Sequence, residues 1–342
     1  MDRGDLLVIS GEEVRGLLCG QEESVLSAVR RAYVAHAIGR SSLPHSTFVR
    51  LPGNDANRII ALPGFLGDGF EVAGMKWISS FPGNLERGLA RASAVMILNS
   101  CSTGLPEAIL EGSLISAART AASAAAAAAA LLGGEPPERV GLIGTGLINR
   151  EIARFLRVAL PATSRFLLFD LDPDRAAGAA AALRRASAPE AGAVEIEVAA
   201  SAGEVLRRCA LVSFATTAAR PHVGDLSACP RGAVILHVSL RDLTPQAILA
   251  CDNVVDDPDH VCRAETSLHL AQQLTGGRDF IRCTLADILQ GNAPARRDGE
   301  SVAVFSPFGL GVLDLAVGKL VLDRALAGGE RQAIRSFQPA PG

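Results

Sequence analysis

The residues with the clearest chemical potential form a glycine-bracketed turn, an acid placed after it, and a scatter of cations in apolar surroundings. The run Val140-Gly-Leu-Ile-Gly144-Thr145-Gly146-Leu147-Ile148-Asn149-Arg150 joins an apolar strand to a helix. Glycine at 144 permits a tight turn, and glycine at 146 removes a side chain that would block a pyrophosphate. The helix start then offers free N–H groups and the positive end of its dipole. Asn149 stands where a third glycine is often found. The next strand, Arg165-Phe-Leu-Leu-Phe-Asp170, ends in an acid about two dozen residues beyond Gly146, the placement that grips ribose hydroxyls and repels a 2′-phosphate. Asp172 adds negative charge, so the pattern favours NAD over NADP.

Arg50, Lys76, Arg91 and Arg119 lie in or beside apolar runs. Lys76 sits in Ala73-Gly-Met75-Lys76-Trp-Ile, a strand-like context where a lysine is costly unless paired or at a cleft. Several such cations in a net-acidic chain suggest a pocket for carboxylates, which arginine grips bidentately. Lysine serves as a point charge, or as a base if burial lowers its pKa. His237-Val-Ser239-Leu-Arg241-Asp242 closes a later strand, and strand ends line the ligand crevice of a doubly wound sheet. Asp242 is therefore a candidate acid or base. The competing reading makes it the N-cap of a helix through Leu243-Thr-Pro-Gln.

The elements that must position these groups fall into three regions. The first, to about Ala118, reads as α+β, with a helix over Gly20–Gly39. Strands follow over Ser46–Leu51, Arg58–Leu62, Ala73–Ser79 and Ala92–Leu98. An alanine-rich helix from Ser113 to Leu132 stops at Gly133-Gly134. The second region alternates apolar strands (Arg139–Gly144, Arg165–Asp170, Val194–Val198, Ala210–Ala215, Ala233–Ser239) with helices near 172–186 and 202–208. That alternation means a parallel sheet covered on both faces. The third is one apolar helix, Leu310–Ala327, with a loose polar tail, and it could pack back onto the first.

Composition narrows the classes. The 342 residues are 49% hydrophobic with a formal net charge of -3, enough for about two domains. Nothing favours a nucleic-acid partner, which would bring a basic surplus. The seven cysteines form no Cys-x-x-Cys pair and read as free thiols of a reducing compartment. The histidines show no metal-ligand spacing, so no metal is expected. The first residues lack a run long enough for a signal peptide, and the alanine-rich helix is broken by Arg119, which argues for a buried helix rather than a membrane span. A cytoplasmic protein with no membrane partner is the expectation.

Gly74-Met75-Lys76, Glu111-Gly-Ser-Leu-Ile-Ser-Ala-Ala-Arg119-Thr120-Ala-Ala-Ser, the glycine turn and Asp314-Leu-Ala together resemble the ornithine cyclodeaminase/mu-crystallin family over nearly the whole chain. Ser42-Leu-Pro-His-Ser, Asn57-Arg-Ile-Ile-Ala-Leu-Pro, Lys76-Trp-Ile-Ser-Ser-Phe-Pro and Arg91-Ala-Ser resemble one branch. Its members convert N-(2-amino-2-carboxyethyl)-L-glutamate to 2,3-diaminopropionate and 2-oxoglutarate, a step of siderophore or antibiotic biosynthesis.

The resemblance implies an α/β fold: a doubly wound Rossmann domain, residues 119–309, inserted in a discontinuous α+β domain, residues 1–118 plus 310–342, which binds substrate and forms a homodimer. It implies NAD as cofactor and a small acidic amino-acid conjugate as substrate. Arg50, Met75, Lys76 and Arg119 match substrate contacts. Arg91, Arg119, Thr120, Gly144, Thr145, Gly146, Leu147, Ile148, Asp170, Thr216 and Ser239 match cofactor contacts. Lys76 and Asp242 are the catalytic pair, with the proton acceptor left open between them. Three departures stand out: Ile148 replaces a common glutamine, Gln246 a common lysine, and Ser306-Pro-Phe-Gly a lysine-bearing segment. They weigh against ornithine cyclodeamination more than against NAD. Ketimine reduction and a non-catalytic crystallin-like role are the other readings.

Overall fold

The computed structural model describes residues 4–186, 194–328 and 332–339. Two compact units divide the chain: residues 1–119 with 310–342, and residues 120–309. The first part of the chain runs β1 (Leu6–Ile9), α1 (Gly11–Leu18), α2 (Glu22–Ala37), β2 (Ser41–Ser42), β3 (Thr47–Leu51), β4 (Asn54–Leu66), β5 (Val72–Ser80), β6 (Ala92–Asn99), β7 (Pro106–Glu111) and α3 (Gly112–Leu131). The second unit follows α3 with β8 (Val140–Ile143), α4 (Leu147–Ala159), β9 (Arg165–Phe169), α5 (Pro173–Ala186), β10 (Glu195–Val198), α6 (Ala202–Arg208), β11 (Leu211–Phe214) and β12 (Val234–His237). It closes with α7 (Pro245–Leu249), β13 (Asp252–Val255), α8 (Pro258–Val261), α9 (Ser267–Thr275), β14 (Ile281–Thr284), α10 (Leu285–Leu289) and β15 (Ala303–Ser306). The chain then returns to the first unit in α11 (Gly311–Ala327) and β16 (Ala333–Ile334).

The first unit is a mixed sheet in the order β16-β1-β7-β6-β5-β4-β2, with β3 also on β4. β4, β5, β6 and β7 form an antiparallel meander, and β1 joins it in parallel to β7. Strand alternation sends Leu62, Lys76, Met96 and Leu110, register partners across β4 to β7, to one face. That face meets α11, whose Asp314 bonds Lys76. Met75 and Trp77 belong to the other face, with Pro63, Ala61, Ile97 and Val95 as partners.

The second unit is an all-parallel sheet in the order β10-β9-β8-β11-β12-β15-β13-β14. The order reverses between β8 and β11, the switch point at which such sheets take ligands. Its central strands are buried throughout, as strands covered on both sides must be. The Rossmann α/β class read from the sequence is the class observed.

Several local readings need correction. β4 runs from Asn54 to Leu66, well beyond Arg58–Leu62, because β3 and β5 pair it on both sides. The tail after α11 is not wholly loose, since Ala333 and Ile334 pair with β1. The short strands β13, β14 and β15 gave too little periodicity to read. α3 is long and apolar enough to cross a membrane by length and composition, yet 78% of that window is buried inside the protein.

Candidate active site

In the first unit, Lys76 is the pivot. β5 carries it onto the α11 face, where it is only 2% exposed. Its Nζ donates to Asp314 Oδ2 at 2.7 Å and to Ser116 Oγ of α3 at 3.0 Å. Arg119, one helical turn beyond Ser116, donates its Nε to the other oxygen, Asp314 Oδ1, at 3.0 Å. One buried carboxylate thus serves two cations, leaving the trio with a surplus positive charge. Desolvation pushes the Lys76 pKa down and the Arg119 charge helps, against the pull of Asp314; the result is about 8. A lysine so placed can exist neutral near physiological pH.

The sequence points to Asp314 only as part of a motif. The signal that could have found its role is a lone acid inside the apolar helix Gly-Val-Leu-Asp314-Leu-Ala-Val, since a buried acid needs a cation. Arg50 does not join this trio directly. It pairs in register with Arg58 on β4, which pairs with Ser80 on β5. That row lies on the Lys76 face but four residues along it, ~13 Å at ~3.3 Å per residue. Arg91 belongs to the same row, because its Nη2 donates to Ser80 Oγ at 3.3 Å. Met75 is not brought to the cluster: it occupies the opposite face of β5, so only its backbone is adjacent to Lys76.

In the second unit the glycine turn follows β8. Gly144 adopts φ +83°, and a Cβ there would stand 2.6 Å from the Ala215 carbonyl oxygen, so glycine is required. Gly146 is the N-cap of α4, which has no side-chain cap, and a Cβ on it would meet nothing within 4 Å. Leu147, exposed, and Ile148, half-buried, begin that helix. Asn149 explains the missing third glycine. Fully buried, it donates to the carbonyls of Ile143 (3.0 Å) and Gly144 (2.6 Å) and accepts from Ser213 Oγ (2.7 Å). It thereby ties the turn to β11.

Asp170 follows β9 and closes on the same turn. Its Oδ2 accepts from the Thr145 N–H and hydroxyl, both at 2.8 Å, and its Oδ1 from the Asp172 N–H at 3.2 Å. Burial acts to raise its pKa, but these bonds outweigh it and the net direction is down. A carboxylate held ionised beside an uncapped helix start, with open space at Gly146, fits a dinucleotide without a 2′-phosphate.

Asp242 lies in the second unit with Thr216 and Ser239. Thr216 Oγ1 donates to its Oδ1 at 2.5 Å, and Ser239 Oγ to its Oδ2. The Asp242 N–H donates to His237 Nε2 at 3.2 Å, and His237 Nδ1 faces Ser306 Oγ at 3.2 Å. The turn carrying Ser239 to Asp242 passes through Leu240 at φ +66°, a strained conformation for a bulky residue. Burial raises the Asp242 pKa; the bonds from His237, Ser239 and Thr216 overcome that, and the net direction is down. Asp242 caps no helix: α7 begins at Pro245, and Thr244 caps it through the Ala247 N–H. His237 is a further residue that sequence reasoning misses; a histidine ending a fully buried strand was the available sign. Thr120, on α3, lies at the first position of this unit.

A parallel sheet with a glycine turn at its switch point and an acid closing on that turn defines a Rossmann-type dinucleotide-binding protein. The chain belongs to the ornithine cyclodeaminase/mu-crystallin family, whose model matches residues 10–329. It is 26% identical over 330 residues to N-((2S)-2-amino-2-carboxyethyl)-L-glutamate dehydrogenase of Staphylococcus aureus, covering 94% of this chain and 96% of that one. It is 25% identical over 354 residues to alanine dehydrogenase of Archaeoglobus fulgidus, covering 98% and 99%. Among solved structures it resembles Thermococcus litoralis Delta(1)-pyrroline-2-carboxylate reductase in complex with NADH and L-proline, with TM-score 0.87, 25% identity, and coverage of 95% and 99%.

Proposed function

We propose that this protein oxidises N-(2-amino-2-carboxyethyl)-L-glutamate with NAD, giving 2,3-diaminopropionate and 2-oxoglutarate. The observation that carries the reading is Lys76, buried between Asp314 and Ser116 with a pKa of about 8. When bound, NAD accepts the hydride from the glutamate α-carbon, and water then cleaves the resulting imine. The chain's own task is to hold an anionic substrate, take one proton and keep the amine neutral.

Arg119 and Lys76 grip the substrate's α-carboxylate, and Arg50 adds positive potential along the same sheet face. Lys76 accepts the amine proton, because its pKa lies near the working pH. Asp242 is the weaker base, held ionised by its hydroxyl donors, and its part is electrostatic. Gly144, Thr145, Gly146, Leu147 and Ile148 would hold the pyrophosphate and Asp170 the ribose. Thr120, Thr216 and Ser239 would complete the cofactor seat, with residues 119–309 as its domain. Residues 1–118 and 310–342 would form the substrate and dimerisation domain. The outer sheet face, with Trp77 and Val49 more than a third exposed, supports a homodimer in which a second copy covers this apolar surface. A cytoplasmic enzyme is the corresponding location.

The test is an assay of the wild-type protein with NAD and the conjugate, read at the reduced-nicotinamide absorbance with mass analysis of products. Equimolar NADH, 2-oxoglutarate and 2,3-diaminopropionate are expected. Ammonia release from ornithine without net NADH, or tight NAD binding with no turnover of any amine, would overturn the assignment.

A further inference from the structure

Substrates with one carboxylate need one cationic seat, yet the Lys76 face of the first unit holds two. The first is the trio of Lys76, Arg119 and Asp314. The second is the row set by the ladder register: Arg50 opposite Arg58, and Arg58 opposite Ser80. Arg91 enters that row from the start of β6 by donating to Ser80 Oγ.

Two features mark the row as built for an anion. Arg91 is half-buried, its Nε is buried without a hydrogen-bond partner, and burial pushes its pKa down. Such a guanidinium gains most from a desolvated anion. Ser80, accepting from Arg91, keeps its own proton free to donate.

We propose that Arg58, Arg91 and Ser80, flanked by Arg50, form a second carboxylate subsite that takes the side-chain carboxylate of the glutamate half, while Lys76 and Arg119 take its α-carboxylate. This rests on the reading of the protein as acting on an acidic amino-acid conjugate. It gives Arg91 a substrate role in place of the cofactor contact implied by the family resemblance. The rows are ~13 Å apart along the strands, so the subsite requires the arginine side chains to reach along the sheet toward the α-carboxylate seat. Selection for a distal carboxylate would thus reside in a part of the sheet that the proton-transfer residues do not occupy.

The experiment compares two probes with the NAD-loaded protein by calorimetry: 2-oxoglutarate, and 2-oxopentanoate, in which a methyl group replaces the distal carboxylate. Wild type should prefer 2-oxoglutarate by about 10- to 100-fold, the range of one or two charge-assisted hydrogen bonds. Arg91→Gln and Arg58→Gln should each remove most of that preference while 2-oxopentanoate affinity stays within about twofold. Ser80→Ala, the mildest change, should remove part of it. Equal weakening of both probes, or an undiminished preference in folded variants, overturns the subsite. Preference intact in a wild type that fails to oxidise the conjugate sinks the functional reading alone. Turnover of the conjugate with no Arg91-dependent preference sinks the subsite alone.

Discussion

Two buried charge clusters, one in each unit, respond to burial in opposite ways. Around Lys76, two cations share the single carboxylate of Asp314, so desolvation prevails and the ammonium is pushed toward neutrality at about 8. Around Asp242, donors from Thr216, Ser239 and His237 outnumber what burial can undo, and the carboxylate stays ionised. Burial fixes only the direction of one contribution; the partners decide which group titrates in the working range. On the proposed function, the first cluster would be the proton acceptor and the second a fixed charge.

The sharpest way to break this contrast is to remove each centre in turn. Lys76→Met should lower kcat by about 10³-fold, within the range expected when a general base is lost, while NADH affinity measured by fluorescence stays unchanged. Asp242→Asn keeps the shape, removes the charge and turns one of the two acceptor oxygens that Thr216 and Ser239 use into a donor, and its loss should still be smaller. If the asparagine variant is the more damaged of the two, the roles assigned to the clusters are reversed.

A second measurement reads the proton directly. For oxidation, kcat/KM should rise with pH through about 8 as Lys76 becomes neutral. Asp314→Asn deletes the charge that holds the Lys76 pKa up, so the acid limb should move to lower pH. A limb displaced by about one pH unit would raise kcat/KM on its acid side about tenfold. A limb that stays near 8 in this variant belongs to another group. Stability carries the same sign. Between about 8 and the ordinary lysine value of 10.5, Lys76 binds more protons unfolded than folded, so its own contribution to stability, read as wild type minus Lys76→Met, should increase with pH across that window, against the opposite contribution of thiols that burial pushes up to about 11 or 12.

The two units also differ in how much of them the sequence makes legible. Val140–Ile143 and Arg165–Phe169 are apolar runs because parallel strands are covered on both faces, and a glycine turn followed by an acid depends on local spacing alone. That made the Rossmann class and Asp170 accessible from the chain. The lysine trio depends instead on a pairing between Lys76 and Asp314 across 238 residues, which no periodicity carries. Arg58 was visible as a residue but not as a neighbour of Arg50 and Ser80, because β4 extends well beyond the run read as its strand and register is a tertiary fact. Asp242 was legible as a candidate from its place at a strand end, while its N-cap alternative failed because the helix starts at Pro245 with Thr244 as its cap. His237 could not be assigned without knowing what its ring faced.

His237 provides the gentlest probe of the comparison. His237 Nε2 lies 3.2 Å from the Asp242 amide nitrogen and 3.5 Å from Asp242 Oδ2, and Nδ1 faces Ser306 Oγ, so the ring anchors the Asp242 backbone and stands beside its carboxylate. His237→Leu removes that anchor but leaves the Thr216 and Ser239 hydroxyls on the carboxylate. The loss of one buried hydrogen bond, about 1–3 kcal/mol, should appear mainly as a lowered Tm, with kcat reduced by less than about tenfold. The acid limb near 8 should not move, since it belongs to Lys76 in the other unit. His237→Gln, which can still offer an acceptor to the Asp242 N–H, should recover part of the loss. A limb that shifts in His237→Leu and returns in His237→Gln would make Asp242 part of the titrating machinery, and the division between an adjustable cation and a fixed anion would have to be abandoned.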